Sequence, residues 1–358
     1  MLNFQIILSI FLISTTFSAI FNAVLRKLSK KYYVLIDIPD SKRKFHSHPT
    51  PLTGGFAILF GLLLTFFIIT NLSDLYLYKD ILIILPFLLA ALACLITFMI
   101  DDIFTISAKL RLFLQSLLVL GLILATEKYI DILPDLLYLG PIDLGIFGIP
   151  FTIFCCAGIM NAFNMIDGLD GLCSALALNA LLFIFFGNIS IELTILIGSI
   201  SGFILYNIGF FGKKRTIFLG DSGSNFLGLS VAMSCIYYTD NTSITSVGNT
   251  SAVTMLWFVA LPLWDCIRII ISRIIRKKPP FEPARDHIHH LLLDRNFTPN
   301  NTLGIIIIFS FLLGLLGNIL ENYYHDLPFV SFYCFVFCSI IYLVYCLKLE
   351  ADIKNHLS

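Results

Sequence analysis

The fold class the sequence predicts is an all-α polytopic membrane protein of about eleven transmembrane helices, and three observations predict it. Of 358 residues, 58% are hydrophobic and 13% charged, whereas a soluble domain carries roughly 25% charged residues. Apolar runs of about 17–25 residues, the length that crosses a hydrocarbon core, recur between polar breaks. Lys and Arg fall almost wholly on alternate loops. No room is left for a large soluble domain, so residues 1–358 read as one integral membrane domain.

Taken in order, the runs are 3–25, 53–71, 81–100, 109–126, 147–164, 171–187, 191–211, 222–238, 253–275, 302–320 and 327–348. The fifth and eighth run into polar residues and are the least regular. With cations at the ends of runs counted in the adjoining loop, the loops after odd-numbered spans and the carboxyl tail hold 20 Lys and Arg, while the opposite loops hold Lys79 and Lys128 and Arg268 lies well inside a span. The positive-inside rule then places the amino terminus outside and the carboxyl terminus in the cytoplasm. The loops at 26–52, 100–109, 161–171, 211–224 and 276–301 all fall on the cytoplasmic face. No positive residue precedes the first run, which is also longer than a signal-peptide core, so it is expected to be retained as an anchor. The nine cysteines lie almost entirely inside spans without zinc-type spacing and read as small apolar filler.

The polar residues are concentrated in those loops. In Asn161-Ala-Phe-Asn164-Met-Ile-Asp167-Gly168-Leu-Asp170-Gly171, four polar groups recur every third residue between apolar flanks. On a helix they would share one drifting face, and among apolar neighbours such groups are costly unless they bind something. The loop from Asp37 to Gly55 combines Lys42, Arg43, Lys44, His46 and His48 with a Gly54-Gly55 pair. That composition suits either a topology signal or an anion cradle. Asp101-Asp102 close the third, inward-running span. The helix dipole opposes an acid at that end, which suggests a bound cation or proton handling. Ser107 is a candidate N-cap for the next span, and Lys109, Arg111 and Gln115 follow. Lys109 and Arg111 face the acids across a short loop, as a salt bridge or a phosphate site would require. Gly220-Asp221-Ser222-Gly223-Ser224 opens an apolar helix, where free amides favour an anion and Asp221 can ligate Mg²⁺. Asn207, just before it, offers a carboxamide to a base or sugar. Arg285-Asp286-His287-Ile-His289-His290 lacks the Cys or helix-spaced acid that completes a zinc set, so the imidazoles are read as diphosphate ligands.

These motifs, in this order, resemble the polyprenyl-phosphate N-acetylhexosamine-1-phosphate transferases over roughly residues 35–300. The histidine segment is similar to the WecA-like branch, which uses UDP-GlcNAc, and lacks the three consecutive histidines of the MraY branch. The resemblance implies transfer of N-acetylhexosamine 1-phosphate, with GlcNAc-1-phosphate favoured, from a UDP-sugar to undecaprenyl phosphate. UMP is released, and the step would initiate a cell-surface glycan such as O-antigen. It implies Asp101, Asp102, Asp167, Asp170, His287, His289 and His290 as catalytic residues. Lys44, His46, Gly54, Gly55, Lys109, Gln115, Asn161, Asn164, Asn207, Ser224 and Arg285 become substrate-binding candidates. Asp221 becomes the Mg²⁺ ligand, with Asp101 as a second candidate and Mn²⁺ as a substitute ion. The implied location is the inner membrane; a homodimer is allowed, and no nucleic acid is involved. UDP-GalNAc and UDP-6-deoxyhexosamines are the alternative donors. The resemblance leaves direct attack by the lipid phosphate and a covalent aspartate step both open, and direct attack is favoured because it needs one transfer and one metal site.

Two rival classes fit less well. A CDP-alcohol phosphatidyltransferase would carry Ala-Arg after its Asp-Gly, which Asp167-Gly168 does not. An ion-coupled transporter would place acids near the bilayer midplane in repeated halves, whereas these acids gather at one face.

Overall fold

The computed structural model describes residues 3–39, 48–72, 78–239, 250–277, 286–324 and 327–357. Lys44, His46 and Arg285 lie outside the described residues. Thirteen α-helices are described. The first four are α1 (Phe4–Tyr32), α2 (Gly54–Leu72), α3 (Tyr78–Phe104) and α4 (Ala108–Thr126). Next come α5 (Gly148–Ile166), α6 (Leu172–Gly187), α7 (Ile191–Asn207) and α8 (Gly220–Tyr237). The chain continues through α9 (Ala252–Phe258), α10 (Ala260–Ile275), α11 (Ile288–Asp294), α12 (Pro299–Tyr324) and α13 (Pro328–Leu357). Two antiparallel β-pairs, β1 (Ile36–Asp37) with β2 (Thr50–Pro51) and β3 (Ile132–Leu133) with β4 (Ile142–Asp143), close loops.

Every apolar run coincides with one of these helices or, for 253–275, with the pair α9 and α10, bent by 78°. Among the described residues seven helices are long and apolar enough to cross a membrane, or eight if the bent pair is one span. The shortfall from eleven has a physical origin. The 16 residues of α6 reach about 24 Å at ~1.5 Å per residue, short of a ~30 Å hydrocarbon core. The 17 residues of α7 are little better, and α8 opens on Gly220-Asp221-Ser222 rather than on apolar sequence.

The chain divides into two compact units, Met1–Glu127 with Ile189–Ser230, and Lys128–Asn188 with Val231–Ser358. In the first, α1 lies against α7 and α2 through small residues. A side chain at Gly61 would come within 2.8 Å of Ser18, and one at Gly202 within 2.9 Å of the same serine. Ser14 Oγ donates to Ile195 O at 2.6 Å and pairs with Ser199 Oγ at 2.7 Å. Where lipid and side chains are equally apolar, close backbone approach and interhelical hydrogen bonds replace the hydrophobic effect as the packing force. In the second unit, Trp257 of α9 packs its Cβ where a side chain at Gly317 of α12 would stand, 2.5 Å away. Its indole donates to Ser331 Oγ of α13 at 3.1 Å. Phe183 of α6 stacks on Phe258 at 5.1 Å, and Asn179 donates to Ser310 Oγ at 3.0 Å.

Candidate active site

In the first unit the polar residues converge on the amino end of α8. Helix α3 runs four residues past its expected end, so Asp101 and Asp102 occupy its last helical turn. The two acids then diverge. Asp101 is buried and its oxygens are committed: Oδ1 accepts from the Ile106 amide at 2.8 Å, and Oδ2 accepts from Arg111 Nε and Nη2 at 2.8 and 2.7 Å. This closes the turn into α4, whose first amides are capped by Ser107 as expected. The cation facing the acids is therefore Arg111, while Lys109 is exposed and forms no ion pair among the described residues.

Asp102 instead seats its carboxylate on α8, with Oδ1 accepting from the Asp221 amide at 2.7 Å and Oδ2 from the Ser222 amide at 3.1 Å. The positive end of the helix dipole and two charge-assisted hydrogen bonds hold it there. This corrects the expectation that these amides stand open to a phosphate, because a protein anion already takes two of them. Gly220 permits the approach: its φ is +72°, and a Cβ there would stand 2.8 Å from both Asp102 oxygens. The side chain of Asp221 follows in the first turn, close enough to repel the Asp102 carboxylate.

The other candidates of this unit hold that helix end in place. Gly54 donates its amide to Phe218 O at 3.0 Å, and a side chain on Gly55 would fall 2.7 Å from Gly223 Cα. The pair serves close packing, Gly54 against the Phe203 ring of α7 and Gly55 against α8, rather than an open amide cradle. Buried Gln115 donates to Asn225 Oδ1 at 2.7 Å, tying α4 to α8. Asn207 donates to Ile217 O at 2.8 Å, and Ser224 returns its hydroxyl to Gly220 O at 3.0 Å.

In the second unit the site is built from a turn and a short helix. Helix α5 stops at Ile166, so Asn161 and Asn164 lie on it while Asp167 is its C-cap and Asp170 lies in the turn beyond. The common helical face therefore covers only the two asparagines. Asn161 is buried and donates to Ala157 O at 2.7 Å; Asn164 and Asp167 are half-buried and Asp170 is exposed. The turn ends at Gly171, whose φ of +85° suits glycine as it opens α6.

Over that turn lies His289. A side chain on Gly168 would collide with its imidazole, with Cε1 at 2.8 Å. His287 stacks on His289 with centroids 5.6 Å apart and planes 10° from parallel, and His290 lies 4.2 Å from His289. Gly168→Val is thus expected to displace His289 and lower turnover at least ~10²-fold, a misplacement effect, without lowering the amount of folded protein recovered in detergent. Steady-state rates beside size-exclusion profiles check both parts.

Behind the histidines lies a charged cluster that no motif pointed to. Asp265 of α10 bonds His287 Nδ1 at 2.8 Å and pairs with Arg268 at 3.0 Å. Arg273 grips the Asp286 carboxylate at 2.9 and 3.3 Å, and Arg268 donates to the Asp286 carbonyl. The signal was present in the sequence as two charges three residues apart inside the apolar run 253–275. Among the described residues no group of three or more His, Cys, Asp or Glu could by itself hold a metal ion.

A family model described as Glycosyl transferase family 4 matches residues 83–239. An Escherichia coli O157:H7 protein named undecaprenyl-phosphate alpha-N-acetylglucosaminyl 1-phosphate transferase is 32% identical over 96% of this chain and 90% of its own length. A Yersinia pestis protein of the same name is 32% identical over 93% of this chain and 89% of its own. One from Thermotoga maritima is 28% identical over 90% and 92%.

Proposed function

The chain belongs to glycosyl transferase family 4, and we propose that it transfers N-acetylglucosamine 1-phosphate from UDP-GlcNAc to undecaprenyl phosphate, releasing UMP. The observation that carries this reading is the extent of the likeness. It covers 96% of the chain and 90% of a relative named for that reaction, so both units lie within it.

An oxygen of the lipid phosphate attacks the sugar-bearing phosphorus of the donor as the bond to UMP breaks. Such transfers need positioning and charge neutralisation more than covalent chemistry. Asp221 and Asp102 would offer Mg²⁺ oxygen donors of the kind it accepts, and two acids, with no group of three among the described residues, suit an ion that draws further oxygens from water or substrate. Bound there, Mg²⁺ supplies neutralisation of the diphosphate charge. Exposed Lys109 is assigned to the lipid phosphate, and Asp102 orients the attacking group. Asp101, with both oxygens committed, is assigned to holding Arg111 and the turn into α4. Asn164, Asp167 and Asp170 are assigned to the uridine and ribose, and His287, His289 and His290 to the sugar diphosphate. In this reading the site faces the cytoplasm, the amino terminus lies outside, and the product initiates a cell-surface glycan.

Protein purified in detergent, given undecaprenyl phosphate, Mg²⁺ and a panel of UDP-sugars, tests the proposal through UMP release. Release with UDP-GlcNAc that EDTA abolishes and Mg²⁺ or Mn²⁺ restores is the expected result. Release with UDP-GalNAc or a UDP-6-deoxyhexosamine alone would reassign the donor. Folded protein that releases UMP from none of them overturns the reading and leaves the ion-coupled transporter as the alternative.

A further inference from the structure

The Asp265 cluster lies outside every motif of the family resemblance, yet it decides what His287 can do. The Asp265 side chain is 1% exposed, and its two oxygens are used differently. Oδ1 is spent on the scaffold: it accepts from Arg268 Nη2 at 3.0 Å, the Ile288 amide at 3.2 Å and Tyr342 Oη at 3.0 Å. Those three donors come from α10, α11 and α13, so the carboxylate is fixed from three directions. Oδ2 is left for one partner, His287 Nδ1, at 2.8 Å.

A carboxylate has lone pairs and no hydrogen to offer, so the proton of that bond belongs to the imidazole. The tautomer follows: Nδ1 carries hydrogen, and Nε2 is the only ring nitrogen left for a ligand. His287 Nε2 makes no hydrogen bond among the described residues. The near-parallel stack on His289 fixes the plane of the ring. The groups facing His287 are Asp265 and Arg268 on α10, Asp286 beside it, with Arg273 gripping that carboxylate, His289 and His290 on α11, and Tyr342 on α13. The one that bonds the ring directly is the anion.

We infer that Asp265 is a positioning residue for the transfer reaction, holding His287 in the Nδ1–H form with Nε2 directed at the phosphate-bearing donor. This rests on the proposed function and deepens it by separating the three histidines: one has its second nitrogen locked by a buried acid. With Nδ1–H held on the acid, only Nε2 is presented to the donor, where a protonated ring gives a charged hydrogen bond to a diphosphate oxygen. Without the acid nothing holds Nδ1, so the ring can exchange tautomers and turn away from the donor.

Two measurements test the inference, one of them on the unaltered enzyme. With ¹⁵N-labelled histidine, the signals of seven imidazoles are recorded across pH, and His287 is assigned by its loss in His287→Gln. The expected result is a His287 ring that carries its hydrogen on Nδ1 at every pH recorded. A ring protonated on Nε2 and bare on Nδ1 overturns the inference. The second measurement is a double-mutant cycle on UMP release. Asp265→Asn is expected to lower kcat ~10²–10³-fold with KM for UDP-GlcNAc within ~3-fold. Asp265→Asn combined with His287→Ala should be no worse than His287→Ala alone within ~2-fold, because the acid acts through that ring. Losses that multiply would show that Asp265 acts elsewhere and would sink the idea. Should Asp265→Asn fail to fold, the labelled wild type still decides. The two readings fail separately: wild type silent toward every UDP-sugar defeats the proposed function, whereas active enzyme with the wrong tautomer or multiplying losses defeats this inference alone.

Discussion

Asp221→Ala lowers UMP release from UDP-GlcNAc by at least ~10³-fold, the scale set by removing a group that neutralises transition-state charge. The thermal midpoint in detergent does not fall with it. Asp221 stands in the first turn of α8 beside Asp102, whose oxygens already accept the Asp221 and Ser222 amides. Removing the second carboxylate takes away repulsion between neighbouring acids and leaves the helix end capped by the first. Initial rates over a Mg²⁺ titration, with a melting curve on the same preparation, check both halves. A loss under tenfold at saturating Mg²⁺ would move the metal role off this residue.

Arg268→Ala gives the largest expected change in stability, a loss of roughly 3–5 kcal/mol, the cost of leaving a buried partner charge uncompensated. The guanidinium is fully buried, bonds the Asp265 carboxylate at 3.0 Å and also holds the Asp286 carbonyl. Its removal strips Asp265 of its only guanidinium partner and loosens the entry to the histidine segment. A drop of roughly 5–10 °C in the thermal midpoint follows for a chain of this size. A change below ~1 kcal/mol would mean that the attraction within the pair only offsets its desolvation.

How far the sequence could be read depends on the range of each signal. Helix existence rests on local hydropathy, so each apolar run is matched by a helix or, at 253–275, by the bent pair α9 and α10. The Ser107 cap is equally local and lies where expected. Glycine pairs are ambiguous at that range. Gly54-Gly55 reads the same whether the missing side chains admit a ligand or a neighbouring helix, and the neighbours found are Phe203 of α7 at Gly54 and Gly223 of α8 at Gly55. Longer-range pairings leave no trace. Nothing local distinguishes Asp101, tied to Arg111 ten residues on, from Asp102, tied to amides 119 and 120 residues on. Asp265 and Arg268 were legible as charges inside a span, but their use depends on His287 and on Tyr342, 77 residues beyond the acid. Periodicity also overran at Asn161 to Asp170, where the helix stops at Ile166 and glycine takes over the turn.

The last helix holds the histidine segment from both sides. Arg276, before it, pairs with Glu350 at 2.5 Å, Arg295, after it, pairs with Asp352 at 3.3 Å, and Tyr342 reaches Asp265 between them. All three anchors lie on α13, the final helix in the described chain. Seen from the ribosome, the histidines are made long before the helix that restrains them. Under the proposed function, competence then waits for the synthesis of α13, and a polypeptide that stops before Tyr342 is expected to carry an unbraced set of imidazoles and to release no UMP.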